Sequence, residues 1–100
     1  MIEEKWRKMS LAEQMGNIGS EVFRLISLKE KNDLKNVQAS FMRVLKLIDL
    51  TAEDKRWRGR LFEVLRLREL VCNFYLDKKF YNVSPENLKK YFIPFALISN

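Results

Sequence analysis

Apolar residues recur at helical spacing through most of the chain. Leu11, Met15, Ile18, Val22 and Ile26 step by four, three, four and four residues, which is the period of one face of an α-helix. Ser10 and Glu13 stand in front of this stripe as an S-x-x-E capping box, whose hydroxyl and carboxylate satisfy free amides at a helix start. The polar stretch LKEKND at 28–33 follows, with Asn32 or Asp33 as the cap of a second helix. That helix is marked by Leu34, Val37, Phe41, Val44 or Leu45, and Ile48, and is expected to end near Leu50. A third stripe takes Leu61, Val64, Leu65, Val71, Cys72 and Tyr75 toward a core, with Gly59 separating a short turn at 52–57 from a main helix at 60–76. Residues 77–84 read as a loop in which Phe80 and Tyr81 pack back on the body. Ser84 followed by Pro85 is a strong start for a fourth helix, because proline at the first helical position forgoes only an amide that has no partner there. Leu88, Tyr91, Phe92 and Phe95 lie on one side of it, and Pro94 predicts a kink or an early end. Residues 1–9 mix charge with Ile2, Trp6 and Met9 and predict a short helix or arm, with Trp6 packed on the domain or on a neighbouring subunit.

The pattern predicts an all-α fold: an antiparallel four-helix bundle with a short extra N-terminal helix, in one domain spanning 1–100. Three glycines and two prolines leave too little punctuation for many short strands. Ala12, Gly16, Gly19 and Ser20 form a second strip of small residues on the first long helix. Glycine inside a helix costs about 0.5–1 kcal/mol relative to alanine, so Gly16 and Gly19 are expected where another backbone comes close, in helix packing or in an oligomer contact. The GNIGS segment lacks the spacing and the lysine of a phosphate-binding loop. A chain of 100 residues buries a modest core, and with broad, aromatic-rich apolar faces this favours a homo-oligomer.

Composition then removes chemistry. The chain has no histidine and one cysteine, Cys72, on an apolar stripe. The usual general base, the commonest metal ligand and any Ser-His or Cys-His pair are therefore missing. The carboxylates are scattered, and no pair of E-x-x-H motifs provides a di-iron site. The expectation is a protein that is not an enzyme and holds no cofactor or metal. Neither a hydrophobic N-terminal signal nor an apolar run near twenty residues is present, so no membrane contact and a cytoplasmic location are expected.

Charge changes the picture again. The net charge is +6 and the pI is about 9.6, and Lys55, Arg56, Arg58, Arg60, Arg66 and Arg68 put six positive side chains into fourteen residues. Lys55, Arg56, Arg58 and Arg60 precede the apolar part of the third helix and are the expected contacts to the phosphates of RNA or DNA, with Lys78 and Lys79 as additions. Trp57 among them anchors the segment or stacks on a base. Arg66 and Arg68, interleaved with Leu65 and Leu67, are expected in ion pairs with Glu63, Glu69 or an acid such as Glu21 on a facing helix. The leading expectation is a non-enzymatic oligomeric bundle that binds nucleic acid through a basic surface. The alternative is a helical protein-interaction adaptor or complex subunit that uses an apolar groove, with its charge steering an acidic partner.

The stretches MSLAEQMGNIGSEVFR at 9–24 and RWRGRLFEVLRLREL at 56–70 are similar to a group of short bacterial and archaeal helical proteins. More distantly, the chain resembles the four-helix-bundle superfamily of 23S rRNA intervening-sequence proteins and accessory proteins of diversity-generating retroelements. The likeness rests on four amphipathic helices, the basic balance, the length and a Gln14…Asn17-Ile18…Glu21 segment. It implies a ring-like homo-oligomer such as a pentamer, a basic surface for nucleic acid and, for the retroelement proteins, a reverse transcriptase as partner. It transfers no residue-level site.

Overall fold

The computed structural model describes residues 2–76, with Ile2 as backbone only, and residues 83–92. Among the described residues every regular element is helical: α1 (Ile2–Arg7), α2 (Leu11–Glu30), α3 (Leu34–Ala52), a 3-10 helix (Lys55–Arg60), α4 (Leu61–Leu76) and α5 (Pro85–Lys90). The boundaries follow local chemistry. The Ser10 hydroxyl accepts from the Glu13 amide at 3.1 Å and the Glu13 carboxylate accepts from the Ser10 amide at 3.2 Å, completing the box that starts α2. Asn32 and Asp33 divide the next connection between them. Asn32 takes a left-handed conformation at φ 57°, which asparagine tolerates just past a helix end, and Asp33 caps α3 by accepting from the Asn36 amide. Ser84 caps α5, with Pro85 at its first position.

The three long helices make the body. α3 runs back along α2, placing Ser40 and Arg43 beside Glu21. α4 runs back along α3, so that Arg68 meets Asp49 and Tyr75 stacks on Phe41 with ring centroids 3.8 Å apart. The short α5 closes on α2 and α4: the Phe92 ring covers Gly19, and the Tyr91 hydroxyl donates to the Glu63 carbonyl. α1 lies across one end, where Trp6 is 3% exposed and donates to Thr51 Oγ1 at 2.9 Å. Ile18, Val22, Leu25, Val44, Ile48, Leu67, Val71 and Leu88 are fully buried between these elements.

Two stripes differ from the sequence reading. The inward face of α4 is Val64, Leu67, Val71 and Phe74, whereas Leu61 and Leu65 are 38% and 45% exposed. α4 carries apolar residues on both sides, so helical period alone cannot say which side is inward. Leu34 is 79% exposed, because it opens α3 at the hairpin end, beyond the reach of the core. The expectations for Lys78, Lys79, Phe80, Tyr81, Pro94 and Phe95 lie outside the described residues.

Candidate nucleic-acid interface

The basic segment is a short 3-10 helix that joins α3 to α4, and a polar cluster beneath it fixes its course. Asp54 caps it, accepting from the Arg56 amide at 3.0 Å. The Arg56 side chain folds back on the same carboxylate, with Nε 3.1 Å from Oδ1 and Nη2 2.7 Å from Oδ2. Its Nη2 also donates to the Met9 carbonyl at 2.9 Å, and its guanidinium lies 4.7 Å from the centre of the Trp57 ring. Hydrogen bonding from Arg56, opposed in part by burial, lowers the Asp54 pKa to about 2, and the same carboxylate raises that of Arg56.

Gln14 on α2 lies under this turn and is fully buried. Its amide nitrogen donates to the Trp6 carbonyl at 2.8 Å and to Asp54 Oδ2 at 3.4 Å, and its oxygen accepts from Trp57 Nε1 at 3.0 Å. Both tryptophan N–H groups are therefore engaged in the interior, Trp6 through Thr51 and Trp57 through Gln14. Trp57 is an anchor in this arrangement, with its indole edge held down and its face under Arg56.

The four expected contact residues thus separate. Arg56 is committed to Asp54, Met9 and Trp57. Lys55 and Arg58 are exposed and have no ion pair among the described residues. Arg60 lies 3.4 Å from Glu63 in a pair whose side chains are 48% and 53% exposed, a weak surface interaction that leaves the guanidinium available. Arg7 at the end of α1 joins Lys55 around a cleft of about 390 Å³ that Glu3, Glu53 and Asp54 also line. Arg66 and Arg68 sit in ion pairs with Glu69 at 3.4 Å and Asp49 at 2.9 Å. The hydrogen bond from Asp49 raises the Arg68 pKa, against the effect of burial.

The two glycines also separate. A methyl group placed on Gly19 would lie 3.2 Å from Cδ1 of Phe92, whereas one on Gly16 would meet nothing within 4 Å. Gly19 is thus a helix-packing position within the chain, and Gly16 faces solvent. Cys72 is half-buried on α4. Among the described residues, no three His, Cys, Asp or Glu side chains gather as a metal site, and no helix is long and apolar enough to cross a membrane.

Sequence reading missed Gln14, Thr51 and Asp54 as partners of the two tryptophans and of Arg56. Asp54 two residues before an arginine was a readable capping signal. Gln14 was legible only as a polar residue beside Met15 on the inward side of α2. No family model matches this chain, and neither the curated proteins nor the solved structures contain a match.

Proposed function

We propose that the chain is a non-enzymatic, oligomeric helical protein that binds nucleic acid through its backbone phosphates. The carrying observation is the braced 3-10 turn. Asp54, Gln14 and Trp57 hold it from below, so Lys55, Arg58 and Arg60 project from a fixed support. Pre-positioned cations lose less side-chain and backbone freedom on meeting a phosphate than cations on a mobile loop do. Arg7 extends the same surface from α1. Contacts of this kind are weakly sequence-specific and strongly salt-dependent.

This reading includes the antiparallel four-helix arrangement, a cytoplasmic location and kinship with the superfamily that holds the 23S rRNA intervening-sequence and retroelement accessory proteins. The protein would then act as an accessory factor to a nucleic-acid-processing enzyme such as a reverse transcriptase. A helical adaptor without nucleic-acid binding is the second reading, favoured by Phe62, which is 91% exposed on α4.

The test replaces Lys55, Arg58 and Arg60 by alanine together and leaves Arg56 in place. Fluorescence anisotropy with labelled RNA and DNA oligonucleotides at low salt should show binding to the parent protein and its loss in the triple variant, with unchanged far-ultraviolet circular dichroism. Equal binding by both proteins, or none by the parent, would refute the assignment.

A further inference from the structure

We infer that the outer face of α4 is a two-fold interface with a second copy of this chain, the two α4 helices lying antiparallel. α4 carries two apolar stripes. The inner one, Val64, Leu67, Val71 and Phe74, is buried in the core. The outer one runs through Leu61, Leu65, Cys72 and Leu76, with the adjacent pair Arg68 and Glu69 at its centre. Leu61, Leu65 and Leu76 are 38%, 45% and 55% exposed, and Phe62 beside them is 91% exposed. A helix that is apolar all round is ordinarily covered all round. Phe62 alone offers roughly 200 Å². With its aliphatic neighbours, and with Met42 of α3 at 59% exposure, the face reaches the several-hundred-Å² scale at which an apolar patch marks an interaction site.

The spacing selects the partner. Counted from either end, the outer stripe reads apolar, four residues, apolar, three residues, charge. An antiparallel copy whose axis passes between residues 68 and 69 therefore sets Leu61 against Leu76, Leu65 against Cys72 and Arg68 against Glu69. Apolar positions meet apolar positions, and each cation meets an acid. A two-fold contact must be self-complementary in this way, whereas a foreign helix imposes no such symmetry.

Charge agrees. The chain carries +6 overall, yet the ionic groups on and beside this face, Arg66 with Glu69 and Arg68 with Asp49, balance in sign. A like copy can approach here without net repulsion. A polyanion or an acidic protein gains nothing from a neutral face. Lys55 and Arg58 belong to the 3-10 turn before α4 and lie outside the paired stripe.

The inference gives a location to the oligomer of the proposed function and rests on that part of it. Its test is Leu65→Cys. The register brings position 65 of one copy to Cys72 of the other. Within one helix the same two positions are about 10 Å apart, too far for a disulfide to span. Oxidation with copper–phenanthroline should convert Leu65→Cys to a covalent dimer on non-reducing gels, and should leave the parent protein and Gly16→Cys largely uncrosslinked. Light scattering of the reduced parent should give twice its 12.0 kDa. A parent that stays at the monomer mass at high micromolar concentration would remove both this interface and the oligomeric reading. An oligomeric parent whose Leu65→Cys variant fails to crosslink would remove this interface alone. Crosslinking of Gly16→Cys instead would move the contact to the small-residue strip of α2. Nucleic-acid binding by Lys55, Arg58 and Arg60 is read separately by anisotropy and stands or falls independently.

Discussion

Asp54 and Gln14 each serve several partners at once, and their energetics follow from that. The Asp54 carboxylate is 8% exposed and lies 2.7 Å from Arg56, with its pKa lowered to about 2. A carboxylate whose pKa falls on folding stabilises the fold above its unfolded value, and the contribution is lost as pH drops toward the folded value. Stability should therefore decline between about pH 5 and pH 2, by no more than about 2 kcal/mol for this group, because its partner Arg56 is 43% exposed. Thermal melts of the parent and of Asp54→Asn across that range should converge at the acid end. Arg56→Ala should lower the melting temperature, and Arg56→Lys should not restore it, since lysine lacks the fork that grips a carboxylate. Gln14→Ala leaves the Trp57 N–H and the Trp6 carbonyl without their partner, and should cost about 1–3 kcal/mol in urea unfolding. Trp6→Phe and Thr51→Val should each be more harmful alone than their effects sum to together, because removing both partners leaves no orphaned polar group.

Helix limits were readable because each start has its own chemistry: the Ser10–Glu13 box, the Asp33 cap and the Ser84–Pro85 pair. Facing was less readable. On α2 a single stripe sits between polar flanks, and Met15, Ile18, Val22 and Ile26 are all buried as their spacing predicts. On α4 two stripes interleave, and the sequence reading joined Leu61 and Leu65 to Val64 and Val71 although only the latter two are buried. Which stripe is inward depends on contacts with α3 and α5, and these lie far away in sequence. Leu67→Ala should cost about 2–5 kcal/mol, as deletions in a packed core do. The same change at Leu65 should cost well under that in a monomer. The glycines give a paired test. Gly16→Ala should stabilise α2 by about 0.5–1 kcal/mol, because a methyl group there meets nothing within 4 Å. Gly19→Ala should gain less or lose, because its methyl would press on the Phe92 ring at 3.2 Å. Chemical denaturation of the two variants distinguishes them.

At the scale of the whole molecule, the basic residues divide into those that hold the fold and those that project from it. The sequence showed the cluster at Lys55–Arg60 but not its division, because Arg56 is assigned by Met9, Trp57 and Asp54, and Met9 is distant in sequence. The remaining cations lie at the end where α1 meets the 3-10 turn, while the outer face of α4 is neutral and apolar. One surface for a polyanion and another for a second copy is the arrangement this distribution supports. The central claim is phosphate binding by the projecting cations, and the most direct measurement is the salt dependence of binding to a single-stranded RNA oligonucleotide. Each phosphate contact contributes about −0.7 to the slope of log K against log salt on a single strand. The parent protein should show a steep negative slope, shallower by about 2 in the Lys55, Arg58 and Arg60 triple alanine variant and unchanged in Arg66→Ala. Binding that ignores salt, or a triple variant whose slope equals the parent's, would contradict the account.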